Sequence, residues 1–261
     1  MDSTSSTSTC LRKAISKATF LTSFPGLVHH HTTPQSNPLK MKFSTVLALA
    51  TAAGAAMASP ISTESNETTE NLSKRQSINY VQNYNGNVAN FKYNQGAGTY
   101  SANWNNPPDF VVGLGWSPGS GSRTVNFSGS YSTNSGSYNA VYGWLNNPLT
   151  EYYVVENYSY DPCSVGGSQT VGSVTSDGST YKICKHTQTN QPSIQGTKTF
   201  GQFFSVRANK RNSGSVTLSN HFNAWKKYGF ANGAANPDFN YQVFATEAFG
   251  GSGSSSMTIS G

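Results

Sequence analysis

The chain is short of acid, with 11 Asp and Glu in 261 residues against 17 Lys and Arg. Burying a lone carboxylate is costly, so an acid inside an apolar run needs a reason to be there. Histidine and cysteine are scarce too. Past residue 75 only His186, His221, Cys163 and Cys184 remain, too few to surround a metal, and no nucleotide or flavin signature is present, so no cofactor is expected. Apolar runs are short, which excludes a membrane anchor. The net charge of +6 overstates any case for nucleic acid, because from Gln76 onward ten Lys and Arg face seven Asp and Glu, leaving +3. Lys226-Lys227 and Lys210-Arg211 read as solvated faces, with no basic stripe between them.

The N-terminal 75 residues do not read as folded protein. Met41-Lys-Phe-Ser, an apolar core from Thr45 and a small-residue cleavage site at Ala56-Met-Ala58 make residues 41–58 a secretory signal peptide. Residues 1–40, with Cys10 and His29-His30-His31, precede it as a non-native or upstream leader and are not read as a metal site. Residues 59–75 form a polar pro-segment ending in Lys74-Arg75, read as a processing site over an ordinary solvated charge pair, which makes 76–261 the mature domain. Secretion agrees with the cysteines, since an isolated Cys163 and Cys184 pair in an oxidising compartment forms a disulfide. Asn66, Asn71, Asn126 and Asn157 head N-glycosylation sequons.

Past Gln76 the pattern is period-two alternation broken by Gly, Asn and Ser. Segments such as Thr99 to Trp104, Phe110 to Trp116, Asn139 to Trp144, Glu151 to Tyr158, Thr199 to Val206 and Tyr241 to Ala248 read as strands of an antiparallel sandwich. Aromatics on both parities imply one sheet face against a core and another lining a groove. A single helix is expected over Asn220-His-Phe-Asn-Ala-Trp-Lys-Lys-Tyr-Gly229, with Asn220 as N-cap and Phe222, Trp225 and Tyr228 on one face.

Strand parity sorts the acids. Glu151, Tyr153 and Val155 share one face, while Tyr152, Val154 and Glu156 share the other; Tyr241, Val243, Ala245 and Glu247 share a face of a later strand. Glu151 and Glu247 therefore each lie beside a tyrosine, and Glu156 reads as an exposed structural acid. Two converging carboxylates are the minimum equipment for cutting a glycosidic bond. The competing reading is a hydrogen-bonded buried pair with a structural role.

Six motifs then occur in order: Tyr142-Gly-Trp144, Pro148-Leu-Thr-Glu-Tyr-Tyr-Val-Val-Glu156, Gln191-Pro-Ser-Ile-Gln-Gly-Thr-Lys-Thr-Phe200, Phe203-Phe-Ser-Val-Arg207, Asn220-His-Phe-Asn-Ala-Trp225 and Tyr241-Gln-Val-Phe-Ala-Thr-Glu247. Together they resemble glycoside hydrolase family 11, the small endo-β-1,4-xylanases. The resemblance implies an all-β fold, a β-jelly roll sandwich of two antiparallel sheets with a cleft and a single α-helix. It implies retaining hydrolysis of xylan with Glu151 as nucleophile and Glu247 as proton donor and acid/base. The carboxyls would then stand roughly 5–5.5 Å apart, and the charge on Glu151 would favour a protonated Glu247.

The resemblance further makes Gln191 to Lys198 a thumb hairpin with Pro192 and Ser193 at the sugar. It makes Tyr142, Tyr153, Gln202 and Tyr241 cleft residues, and Asn106 a neighbour that tunes Glu247. Many members stack a sugar on a Trp near the cleft entrance; Tyr84 is the substitute here, with core packing its alternative. Gln188 stands where an Arg usually anchors the thumb base. A monomer, with plant proteinaceous xylanase inhibitors as protein partners, completes what the resemblance implies. The alternatives are a related jelly-roll endoglucanase and a non-catalytic glycan-binding or elicitor protein on the same scaffold.

Overall fold

Strands that are apolar on one face and aromatic on the other need a cover for each. In the computed structural model, which describes residues 77–261, thirteen strands supply both. The leader with Cys10 and His29 to His31, the signal peptide, the pro-segment with Asn66 and Asn71, and Gln76 lie outside the described residues. The strands are β1 (Tyr80–Tyr84), β2 (Lys92–Asn94), β3 (Thr99–Asn105), β4 (Phe110–Trp116), β5 (Thr124–Thr133), β6 (Ser137–Asn147) and β7 (Thr150–Tyr158). They continue with β8 (Gln169–Ser176), β9 (Ser179–Ser193), β10 (Gly196–Arg207), β11 (Ser213–Thr217), β12 (Asp238–Ala248) and β13 (Ser252–Ser260).

An eight-stranded sheet runs β1-β4-β12-β6-β7-β10-β9-β8, and a five-stranded sheet runs β11-β5-β13-β3-β2, giving a β-jelly roll. Every pairing is antiparallel except β7 with β10, which are parallel. The main core lies between the sheets, where Leu114, Trp116, Val141, Tyr152 and Phe244 of the large sheet meet Val125, Phe127, Met257 and Ile259 of the small one. A second apolar layer holds Tyr138, Tyr142, Trp144, Tyr153, Phe204, Tyr241 and Val243, all from the large sheet. With no small-sheet residue over it, this face buries its aromatics against one another, and it carries Glu151 and Glu247 by parity.

The helix α1 spans Leu218–Lys226, starting three residues earlier than Asn220 as N-cap implies. Thr217 precedes it, but Asp177 accepts from both the Thr217 amide (2.9 Å) and hydroxyl (2.8 Å). The cap hydroxyl is thus tied to the β8–β9 turn instead of to its own helix, and Asn220 sits inside the first turn, donating to Ser176 Oγ at 3.0 Å. Leu218, His221, Phe222 and Trp225 form the buried face.

Two expectations about charge are corrected. Glu156 is not exposed but fully buried, because the face opposite Glu151 is the one that packs the inter-sheet core. Its carboxylate accepts from the Tyr181 hydroxyl at 2.7 Å and from the Arg211 guanidinium. Arg211 is therefore not a solvated charge, and Lys210 lies 4.0 Å from the centre of the Tyr158 ring. Burial pushes the Glu156 carboxyl up, the Arg211 guanidinium pulls it back, and Glu156 in turn holds Arg211 more firmly protonated. The disulfide expected between Cys163 and Cys184 is present; it ties the short turn Pro162–Ser164 to β9.

His221 is fully buried against the Tyr181 ring, with centroids 4.6 Å apart, and neither ring nitrogen has a hydrogen-bond partner among the described residues. Burial lowers its pKa from 6.5 to about 4. The unfolded chain therefore takes up this proton before the folded one does. Stability from His221 is intact above about pH 6.5, falls as pH drops toward 4, and levels off below. His221→Phe is expected to remove that loss, about 3 kcal/mol over the window at 1.36 kcal/mol per pKa unit. Denaturant midpoints measured from pH 7 to pH 4 check it; parallel curves for wild type and variant would refute it.

Candidate active site

The site begins on β7, where alternation directs Glu151 toward the aromatic face. Glu151 is 3% exposed, and its carboxylate is held by three neutral donors. The hydroxyls of Tyr142 (3.0 Å) and Tyr153 (2.9 Å) donate to Oε1, and Gln202 Nε2 donates to Oε2 at 2.5 Å. These bonds offset the cost of taking a charge out of water. Tyr142 is itself fixed, accepting from Trp144 Nε1 at 2.7 Å. Gln202 pairs directly with Glu151 across β10 and β7, so two strands far apart in sequence set the contact.

Glu247 comes from β12, also 3% exposed, opposite Val111 on β4 and Tyr138 on β6. Glu151 lies opposite Trp144, at the other end of β6 from Tyr138, so the acids are not sheet neighbours. Tyrosines bridge the gap. Tyr138 stands directly opposite Glu247 across β6 and β12, and its ring meets Tyr153 edge-on at 5.7 Å, while Tyr153 holds Glu151. Burial, and then the charges of Glu151 and Glu247, raise the Tyr153 phenol well above its ordinary value. Burial also raises Tyr138 and Tyr142, whose next contributions come from Glu247 and from Tyr241 respectively. All three stay protonated, and Tyr142 and Tyr153 act as donors to Glu151.

The remaining sequence-predicted residues fall as follows. Tyr241 stacks on Tyr80 at 4.7 Å and meets Tyr142 edge-on at 5.8 Å. Tyr84 is half-buried at the end of β1, against the same aromatic layer. Pro192 and Ser193 end β9 at the tip of the long β9–β10 hairpin, where the Ser193 hydroxyl closes the turn onto Gly196 O at 2.6 Å. Gln195 at that tip donates to Asn146 O at 2.9 Å, bringing the hairpin to the end of β6. Asn106 is exposed, with φ +46, and its backbone amide donates 2.5 Å to Gly251 O, four residues past Glu247.

Sequence reasoning missed several side chains on this face. Tyr138 and Trp144 share parity with Tyr142 on β6, and Tyr80 shares parity with Tyr84 on β1, so alternation alone could have found them. Phe204, stacked on Tyr153 at 4.8 Å, and the Tyr160–Phe249 pair at 5.1 Å extend the aromatic lining. Among the described residues, no group of three or more His, Cys, Asp or Glu gathers.

Two buried carboxylates thus lie on one aromatic face, and one of them is clamped by three donors. The family model for glycosyl hydrolases family 11 matches residues 76–258. The chain belongs to this family. It is 82% identical over 223 residues to endo-1,4-beta-xylanase 11A of Mycosarcoma maydis, covering 85% of this chain and all of that protein. It is 57% identical over 188 residues to endo-1,4-beta-xylanase B of Talaromyces purpureogenus, covering 71% of this chain and 88% of that protein. A solved structure from a comparison of two major endo-1,4-beta-xylanases of Trichodrema reesei aligns with TM-score 0.64 and 49% identity. That alignment covers 71% of this chain and all of the other. The family 11 assignment thus spans the strands that carry both acids.

Proposed function

We infer that this chain is an endo-1,4-β-xylanase that hydrolyses internal linkages of xylan with retention of configuration. The observation that carries the reading is the clamp on Glu151. Tyr142, Tyr153 and Gln202 keep that carboxylate oriented, and Glu247 lies on the same face, reached through Tyr138 and Tyr153.

Glu151 attacks the anomeric carbon while Glu247 gives its proton to the departing glycosidic oxygen, and the C1–O bond breaks. A water then attacks C1, Glu247 takes its proton, and the bond from Glu151 to C1 is released. The negative charge on Glu151 favours a protonated Glu247, and esterification of Glu151 removes that charge, turning Glu247 into a base. Tyr138, Phe249 and Tyr160 continue the lining past Glu247, where the leaving portion of the chain would rest. Tyr84, Tyr80 and Tyr241 offer aromatic surface on the β1 side, and Pro192 and Ser193 bring hairpin backbone over the cleft.

Asn106 tunes Glu247 in this reading, supported by the amide bond that holds it beside the end of β12. Asn106→Asp would give a second carboxyl to share the proton, and such a pair titrates as a unit with a lowered first pKa. The pH–rate profile is expected to move to lower pH; an unchanged profile removes Asn106 from this role. The enzyme is read as a secreted monomer beginning at Gln76, which N-terminal sequencing of secreted protein reads directly, with plant xylanase inhibitors as protein partners. Secretion is supported by the signal-peptide pattern and by the Cys163–Cys184 disulfide.

Reducing-sugar release from xylan and from carboxymethylcellulose, for wild type, Glu151→Ala and Glu247→Ala, tests the function. Release from xylan that both substitutions abolish supports it. Release from carboxymethylcellulose alone makes the protein an endoglucanase, and xylan binding without release makes it a binding protein.

A further inference from the structure

We propose that Gln188 is a positioning residue, fixing the side-chain amide of Gln202 so that its nitrogen faces Glu151. The inference rests on the assignment of Glu151 as nucleophile. Gln202 is 3% exposed, and its side chain has two hydrogen bonds. Nε2 donates to Glu151 Oε2 at 2.5 Å, and Oε1 accepts from Gln188 Nε2 at 3.1 Å.

The three residues form a line across the aromatic face. Gln202 on β10 stands directly opposite Glu151 on β7, and Gln188 on β9 lies one diagonal step away, opposite Phe200. Half-turn rotation of a primary amide exchanges oxygen and nitrogen with almost no change of shape, so sterics do not choose between the two orientations. Bonding partners choose. A carboxylate accepts only, so the end of Gln202 facing Glu151 must be the nitrogen. The other end is then an oxygen buried near the base of the β9–β10 hairpin, and it needs a donor. Gln188 supplies it.

Without that donor, the Gln202 oxygen is left unsatisfied and the amide loses the contact that holds it. With an acceptor in place of the donor, the amide is drawn round and presents oxygen to Glu151, setting two buried acceptors against each other. Both changes weaken the clamp on the attacking carboxylate without touching Glu151, Glu247 or the aromatic lining. Gln188 sits on the half-buried β9 hairpin, so its substitution leaves the core intact.

The test measures kcat and KM on xylan for Gln188→Met, Gln188→Glu and Gln188→Arg, each also in a Gln202→Met background, with melting temperature followed throughout. Gln188→Met is expected to lower kcat about tenfold, the worth of one hydrogen bond, with KM within about twofold of wild type. Gln188→Glu, an acceptor, is expected to lose more, about 100-fold. Gln188→Arg, which only donates, is expected to recover most of the Met loss. In the Gln202→Met background the Gln188→Met step should cost less than about twofold, because its target is gone.

A kcat unmoved by Gln188→Glu overturns the proposal, as does a Gln188→Met loss of full size in the Gln202→Met background. A fall in melting temperature with kcat unchanged assigns Gln188 to hairpin stability alone, which also overturns it. If wild type itself releases no sugar from xylan, the assignment of function fails instead, and the two failures are distinct.

Discussion

Glu151→Ala is expected to reduce kcat on xylan by at least about 10⁴-fold, the scale on which removal of a covalent nucleophile acts. The variant keeps every other part of the site but has no atom to form the glycosyl-enzyme. Tyr142, Tyr153 and Gln202 then point three donors at an emptied position, and water can occupy it. Added azide can attack C1 directly where Glu151 stood, while Glu247 still protonates the leaving group. That reaction runs by a single displacement and yields an α-xylosyl azide. The product identifies Glu151 as the attacking group independently of the rate.

Glu247→Ala is expected to lower kcat on xylan by about 10²- to 10⁴-fold, the usual contribution of a positioned general acid. The loss should shrink sharply on an aryl β-xylobioside with a strongly acidic phenol, because that leaving group departs without a proton. With such a substrate the second step limits, since no base remains to activate water. Azide needs no base, so it is expected to restore turnover and give the β-xylosyl azide. An α azide from Glu151→Ala with a β azide from Glu247→Ala assigns the two roles; the reversed pair would show that they had been exchanged, and the same anomer from both would contradict a nucleophile and acid/base pair.

Much of the architecture was legible because the chain obeys alternation. Phe110 to Trp116 is a strand with the expected bounds, and the strands expected from Glu151 and Tyr241 begin one and three residues earlier, at Thr150 and Asp238. Less legible were β8 and most of β9, where Ser, Thr, Gln and Lys dilute the period and β8 closes the sheet as an edge. Parity correctly divided Glu151 from Glu156, but it says which face a residue occupies, not what covers that face. The cover for Glu156 is Tyr181 and Arg211, 25 and 55 residues away, which no local pattern contains. The helix start was missed for a similar reason, since Asp177 on a distant turn satisfies Thr217. At the site, parity placed Tyr153 beside Glu151, whereas the Gln188–Gln202–Glu151 line depends on β7, β9 and β10 coming together in one register.

The central claim is a double displacement through Glu151 with Glu247 as acid and base. Its most direct test is the anomeric configuration of the sugar first released from xylan-derived oligosaccharides by the wild-type enzyme. Proton NMR follows it in the first minutes, before mutarotation equilibrates the product. Two inversions at C1 predict that the β anomer appears first and the α anomer grows in later. If the α anomer appears first, the reaction is a single displacement by water, and Glu151 is not the nucleophile.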